Sequence, residues 1–218
     1  MKIFLDTASY ETIAQWAETG LIDGITTNPT SLSKVQDPKK VVQKICALLP
    51  QGHISVEVTQ QDPRAVYNQA RQLADLADNI IVKIPCHLSY YAVIHQLVQE
   101  GIRLNITLLF SLPQALCMSK LGVMYISPFV GRLDDIDTDG VQLVVQIREM
   151  LDTYDYPTQV LAASIRHVRQ LHDVICAGAD AVTLSAEVLE KAIVHPLTDA
   201  GMKIFQTDWD KLGITNFP

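Results

Sequence analysis

Lys83 is the one charged residue in the stretch Asn79-Ile80-Ile81-Val82-Lys83-Ile84-Pro85. A lysine in so apolar a run is costly to bury, so its presence has to be justified by chemistry or by pairing. Desolvated and close to other cations, its ammonium gives up a proton more readily, leaving a neutral amine that can attack a carbonyl and form a Schiff base. The same placement suits a structural ion pair, and Asp6 and Glu57 are the acids that could complete it. Either could instead carry the proton that iminium chemistry must move. Arg132 and Arg166, with Ser164, have the character of an anion site, because guanidinium groups hold phosphate bidentately. For Arg132 an ion pair with Asp134, Asp135 or Asp137 is the competing reading. Further polar candidates are Thr26, Thr27, Asn28, Asn105, Thr107 and Ser127. His87, His95, His167 and His172 lack the i,i+4 or His-x-His spacing beside carboxylates that a metal centre uses, so neither metal nor cofactor is expected.

The histidines apart, these residues fall at or just after the ends of short apolar or β-branched runs. The runs are Lys2 to Leu5, Gly24 to Thr26, Ile54 to Val58, Ile80 to Ile84, Arg103 to Thr107, Val123 to Ile126, Gln159 to Ala162 and Ala181 to Leu184. Segments with helical spacing separate them: Tyr10 to Thr19, Pro38 to Leu49, Pro63 to Leu76, Tyr90 to Glu100, Leu112 to Leu121, Val141 to Tyr154, Val168 to Ala177 and Glu187 to Ile193. Asp37-Pro38 and Asp62-Pro63 place an N-cap acid before a proline whose missing N–H costs nothing in a first turn. Gly101, Gly122 and Gly178 stand where helices should stop. Strand–helix alternation of this kind predicts a parallel sheet covered by helices, and eight units of about 25 residues predict a (β/α)₈ TIM barrel of class α/β. An open doubly wound sheet is the structural alternative, but Asp6-Thr7-Ala8-Ser9 after the first strand contains no glycine-rich phosphate turn. In a barrel the working face lies at the C-terminal ends of the strands, where the polar candidates collect. A further amphipathic helix, His195 to Leu212 with Trp209, follows the eighth unit and packs either on its own barrel or on a neighbouring subunit.

The chain has 218 residues, 48% hydrophobic and 19% charged, which is a globular balance with a core. No linker or shift in composition interrupts the alternation, so residues 1–218 are expected to form a single domain. Seventeen Lys and Arg against 24 Asp and Glu give a net charge of −7, the wrong sign for neutralising a nucleic-acid backbone. Cys46, Cys86, Cys117 and Cys176 are widely spaced, which predicts buried, reduced thiols and a reducing cytosol. The methionines and phenylalanines are expected in the core. The opening Met1-Lys2-Ile3-Phe4-Leu5-Asp6 reaches an acid too soon for a signal peptide, and no apolar run approaches the roughly 18 residues of a membrane span. A cytoplasmic protein without a membrane or nucleic-acid partner is expected.

Seven segments stand in order along the chain: Ile3-Phe4-Leu5-Asp6-Thr7-Ala8, Gly24-Ile25-Thr26-Thr27-Asn28-Pro29-Thr30, Val56-Glu57-Val58, Ile81-Val82-Lys83-Ile84-Pro85, Asn105-Ile106-Thr107-Leu108-Leu109-Phe110-Ser111, Ser127-Pro128-Phe129-Val130-Gly131-Arg132-Leu133-Asp134 and Ala162-Ala163-Ser164-Ile165-Arg166. Together they resemble the transaldolase family, and most closely its short single-barrel branch, which includes fructose-6-phosphate aldolase. The resemblance implies metal-free class I chemistry, with Lys83 forming a Schiff base to the C2 carbonyl of a ketose phosphate. It implies that Asp6 handles the C4-hydroxyl proton, and that Glu57 acts through a water held with Thr107. By the same resemblance Thr26, Asn28, Asn105, Ser127 and Phe129 belong to the sugar site, and Arg132, Ser164 and Arg166 to the phosphate site. Phosphorylated sugars are the implied substrates, and homo-oligomers of five or ten subunits the implied assembly.

Two positions separate the branches of that family. Its aldolases resemble this chain but typically carry glutamine where Glu57 stands and tyrosine where Phe129 stands. Glu57 with Phe129 is the transferase pairing, and Arg166 agrees with it, since the aldolase pattern has lysine there. The implied activity is transfer of a dihydroxyacetone unit from a ketose phosphate to an aldose phosphate in the non-oxidative pentose phosphate pathway. Thr30 for serine and Gly131 for asparagine are departures outside the named roles.

Overall fold

A computed structural model describes residues 1–214; residues 215–218 of the expected 1–218 unit lie outside the described part. Eight strands form the sheet: β1 (Lys2–Asp6), β2 (Gly24–Thr26), β3 (His53–Glu57), β4 (Ile80–Pro85), β5 (Leu104–Leu109), β6 (Tyr125–Pro128), β7 (Gln159–Ile165) and β8 (Ala181–Leu184). They are parallel, lie in sequence order and close β8 onto β1, which makes the sheet a barrel and removes the open-sheet alternative. The helices are α1 (Tyr10–Ala17), α2 (Pro29–Leu32), α3 (Pro38–Leu48), α4 (Pro63–Ala74), α5 (Tyr91–Gln99), α6 (Leu112–Lys120), α7 (Val130–Asp134), α8 (Gly140–Thr153), α9 (Val168–Cys176), α10 (Ala186–Ile193) and α11 (Pro196–Asp210).

The alternation of side chains along each strand divides the core into two shells. Leu5, Ile25, Ile54, Val56, Val82, Ile84, Ile106, Ile126, Val160 and Val182 belong to the large cluster shared with the helices. Phe4, Ile81, Tyr125, Leu161 and Ala181 form a separate cluster that fills the barrel interior. A residue such as Lys83, between Val82 and Ile84 of the outer shell, therefore faces inward. The expected caps hold. Asp37 and Asp62 accept hydrogen bonds from the N–H of Lys40 and Ala65, and Gly101, Gly122 and Gly178 have φ of 78°, 84° and 77°.

Some boundaries differ from the expected ones. β3 starts at His53 and ends at Glu57, and β6 covers Tyr125–Pro128 because the chain leaving Gly122 must first cross from α6 to the barrel. β5 and β7 continue to Leu109 and Ile165, each through a shift in pairing register. Two short helices, α2 and α7, were not anticipated, since four or five residues show no helical period. The cysteines are all free, but Cys46 alone is buried; Cys117 and Cys176 are exposed, on the outer faces of α6 and α9. Phe4 and Met118 lie in the core, whereas Met202 and Phe205 of α11 are 65% and 75% exposed. No helix among the described residues is long and apolar enough to cross a membrane.

Candidate active site

Pairing register brings Glu57 and Lys83 side by side, since the two residues are direct partners between β3 and β4. Lys83 Nζ lies 3.2 Å from Glu57 Oε2 and donates to the carbonyl of Thr27 at 3.1 Å. Both side chains are nearly covered, at 7% and 11% exposure. An ion pair so buried recovers its desolvation cost only with further hydrogen bonds, and the Thr27 carbonyl supplies one. Glu57 is thus the carboxylate that meets Lys83. At 3.2 Å it is within reach of a proton on the ammonium.

Asp6 stands apart at the end of β1. Its Oδ1 accepts from Thr26 Oγ1 at 3.3 Å and from Asn28 Nδ2 at 3.2 Å. Thr26 Oγ1 lies 2.6 Å from Thr183 Oγ1. Asn28 caps α2 with its side chain while its amide holds Asp6, so α2 fixes this corner of the site. The Asn28-Pro29 pair, an N-cap followed by proline at the first helical position, was the available signal for that helix.

These groups open into one cavity of about 430 Å³ at the C-terminal mouth. Asp6, Thr26, Asn28, Glu57, Lys83, Thr107, Phe129, Arg132 and Ser164 line it together, with Thr183 and Leu108. The Thr107 hydroxyl is buried and has no hydrogen-bond partner among the described residues, a state that usually marks a place for water or ligand. A larger groove of about 1040 Å³ lies outside the barrel, lined by residues of α3 and α4. Glu57 borders that groove too, but Lys83 and Asp6 do not, and its walls are chiefly apolar. The smaller cavity, which gathers the lysine and both acids, is therefore the candidate active site.

Three expected residues sit elsewhere. Asn105 and Ser127 do not line the cavity: Ser127 Oγ donates to Asn105 Oδ1 at 2.7 Å, and Asn105 Nδ2 donates to Ser55 Oγ at 3.1 Å. Arg166 turns its fork onto Asp135, in a bidentate pair at the edge of the mouth. That hydrogen bonding holds the Asp135 carboxyl below the usual carboxylate range and raises the Arg166 guanidinium. The ion pair considered for Arg132 thus belongs to Arg166. Arg132 instead stacks over Phe129, 5.2 Å from the ring centroid, with Phe110 edge-on to the same ring. Gly131 allows α7 to lie close against the end of β7, since a Cβ there would come within 2.4 Å of the Ser164 carbonyl and 2.9 Å of Arg166 Nε.

Sequence reasoning named no residue of β8 and missed Ser55, Thr183 and Leu108. Counting inward from Ala181 on a two-residue period would have pointed to Thr183. Among the described residues no group of three or more His, Cys, Asp or Glu side chains is placed to hold a metal ion.

Residues 3–215 match the model of the family described as transaldolase/fructose-6-phosphate aldolase. A "Probable transaldolase" of Dehalococcoides mccartyi is 45% identical over 211 residues, covering 96% of this chain and 98% of the relative. Proteins of the same description from Maridesulfovibrio salexigens and Lactiplantibacillus plantarum are 43% and 45% identical, covering 97% and 96% of this chain and 99% and 96% of the relatives. With the family model matched over nearly the whole chain and these relatives covered almost end to end, the chain belongs to the transaldolase/fructose-6-phosphate aldolase family.

Proposed function

We propose that this protein is a transaldolase that moves a dihydroxyacetone unit from fructose 6-phosphate or sedoheptulose 7-phosphate to an aldose phosphate through a Schiff base on Lys83. The observation that carries the reading is the buried Lys83–Glu57 contact of 3.2 Å at the floor of a cavity that also holds Asp6 and Arg132. Lys83 gives a proton to Glu57, and the neutral amine adds to the C2 carbonyl of the ketose. The carbinolamine then loses water, with Glu57 returning the proton to the departing hydroxyl through a water that the Thr107 hydroxyl can bond. Asp6, held on one side by Thr26 and Asn28, takes the proton of the C4 hydroxyl as the C3–C4 bond breaks. The bonding electrons pass into the protonated imine and leave an enamine. The aldose phosphate cleaved from the donor leaves, an acceptor aldehyde takes its place and is attacked by the enamine, Asp6 returns the proton to the new C4 oxygen, and water hydrolyses the iminium to release the product ketose and free Lys83. Asn28 bonds donor hydroxyls. Asn105 and Ser127, bonded to each other behind the cavity wall, reach the dihydroxyacetone part only if their mutual hydrogen bond opens, while Arg132 and Ser164 take the phosphate and Arg166 joins them on leaving Asp135.

Glu57 and Phe129 favour transfer over free aldol cleavage, because the enamine then meets no tyrosine-bound water to protonate it. The test is incubation with fructose 6-phosphate, with and without erythrose 4-phosphate. Product formation that depends on the acceptor supports the transferase. Rapid release of free dihydroxyacetone without acceptor assigns the chain to the aldolase branch, and binding without turnover marks a silent sugar-phosphate barrel. The proposal includes a cytoplasmic setting and a homo-oligomer of five or ten subunits. The exposed Leu197, Met202, Ile204 and Phe205 of α11 support association, since such side chains are seldom left together in water.

A further inference from the structure

Thr183 of β8 lines the mouth cavity without a task in the proposed chemistry. Val182 and Leu184 belong to the outer shell and Ala181 to the cluster inside the barrel, so Thr183 also faces inward. Its Oγ1 lies 2.6 Å from Thr26 Oγ1, and Thr26 Oγ1 lies 3.3 Å from Asp6 Oδ1. β8 and β2 are not neighbours in the sheet. Each pairs with β1, where Thr183 is the register partner of Phe4 and Thr26 that of Asp6, so the two threonines meet across the inner face of the strand that ends in Asp6.

A hydroxyl has one proton to give, and that fixes the direction of the chain. An ionised Asp6 carboxylate only accepts, and a bond to its charge is stronger than one to a neutral oxygen, so the Thr26 proton goes to Asp6. Hydroxyl oxygens 2.6 Å apart need a proton between them, and Thr183 is left to supply it. The order is Thr183 to Thr26 to Asp6, and the first bond polarises the second. In the reverse order Thr26 would donate to Thr183, and Asp6 Oδ1 would keep the Asn28 amide without the threonine.

We propose that Thr183 is a positioning residue for Asp6: by donating to Thr26 it commits the Thr26 proton to Asp6 Oδ1 and so holds the carboxylate that takes the C4-hydroxyl proton. Thr183 exchanges no proton with the substrate; that proton passes from the C4 hydroxyl to Asp6 and back. The proposal rests on the transaldolase reading.

The test follows transfer from fructose 6-phosphate to erythrose 4-phosphate across pH. Thr183→Val should lower kcat about three- to tenfold with KM within about twofold, the scale of one buried hydrogen bond acting on the chemical step. It should also move the acidic limb of kcat/KM, which reports the base of the free enzyme, about half a unit to higher pH, because a less polarised Thr26 stabilises the carboxylate less. Thr183→Ser keeps the hydroxyl and should stay within about twofold of the wild type with the limb in place. Thr26→Val should move the limb the same way, and Thr183→Val in that background should add less than about 0.2 of a unit, since the chain is already cut. The proposal is overturned if the Thr183→Val limb stays in place, if it moves to lower pH, which would show Thr26 donating to Thr183, if Thr183→Ser loses as much as Thr183→Val, or if the shift is undiminished beside Thr26→Val. Should Thr183→Val fail to fold by circular dichroism, Thr183→Ala supplies the same contrast with Thr183→Ser. Wild-type protein that forms no acceptor-dependent product defeats the transaldolase reading before any variant is compared, and the proposal falls with it; an active wild type with an unmoved Thr183→Val limb defeats this proposal alone.

Discussion

The two mouths of the barrel are both polar, and they are built on opposite terms. At the N-terminal end Lys2 Nζ donates to Tyr125 Oη at 3.0 Å and to Gln159 Oε1 at 3.3 Å, and His53 Nδ1 lies 2.9 Å from Tyr125 Oη. Phe4 meets both His53 and Tyr125 edge-on, so this end is plugged and its polar groups serve one another. The C-terminal end has a 430 Å³ cavity, an unpartnered hydroxyl on Thr107, two left-handed residues and, in Arg132, a cation with no ion pair among the described residues. The first end uses polarity to complete packing. The second leaves polar groups unpartnered, at some cost in stability, a pattern that marks places for water or ligand. The overall charge of −7 adds a constraint: a phosphorylated ligand is attracted by local cations alone, and Lys83 and Arg132 both face this cavity.

Substitutions at the two ends should therefore separate activity from stability. Lys83→Met should lower turnover by at least about 10⁴-fold while far-ultraviolet circular dichroism stays that of the wild type; steady-state kinetics that retain activity would refute covalent catalysis. Phe4→Ala, at the plugged end, should cost about 3–5 kcal/mol in chemical denaturation and leave kcat of the folded enzyme within about threefold. If kcat fell as steeply as stability, the two ends would not be independent. Asp135→Asn should release the Arg166 fork and lower KM for a phosphorylated donor by about two- to fivefold, the scale of an exposed ion pair, without changing KM for unphosphorylated dihydroxyacetone. An unchanged KM for the phosphorylated donor would remove Arg166 from the phosphate site.

The smallest effect is a pH dependence at the plugged end. Burial, and then the charges of Lys2 and Arg103, lower the His53 pKa below 6.5. The native state then favours neutral imidazole, and the unfolded chain binds the extra proton as pH falls through 6.5. Stability from this group is fully present above that value and declines below it until the native pKa is reached. Thermal midpoints measured between pH 7.5 and about 5 should fall in the wild type and fall less in His53→Gln. Equal slopes would show that His53 does not report on the plug.

Much of this contrast was legible in the sequence, because the barrel is buried on both sides and its strands are apolar except where chemistry intervenes. Lys83 stood out for that reason, as did Glu57 and Asp6 at neighbouring strand ends, and the helix caps at Asp37, Asp62 and Gly101 followed from local chemistry. Other features are properties of the closed structure. The Arg166–Asp135 pair joins α7's C-terminal edge to the end of β7, 31 residues away, and no local pattern announces it. The bulges at Leu108 and Ser164 oppose residue preference, since leucine disfavours positive φ, so only tertiary pairing can impose them. Exposed Cys117 and Cys176 and the uncovered apolar side chains of α11 likewise depend on which helix faces the barrel covers.

The central claim is that the mouth's buried lysine is a nucleophile and not a structural cation. Peptide mapping by mass spectrometry after borohydride reduction with fructose 6-phosphate tests it most directly. A single three-carbon adduct on the peptide containing Lys83, absent when Lys83 is replaced by methionine, is the predicted result. An adduct on another lysine, or none at all while the sugar phosphate is turned over, would contradict it.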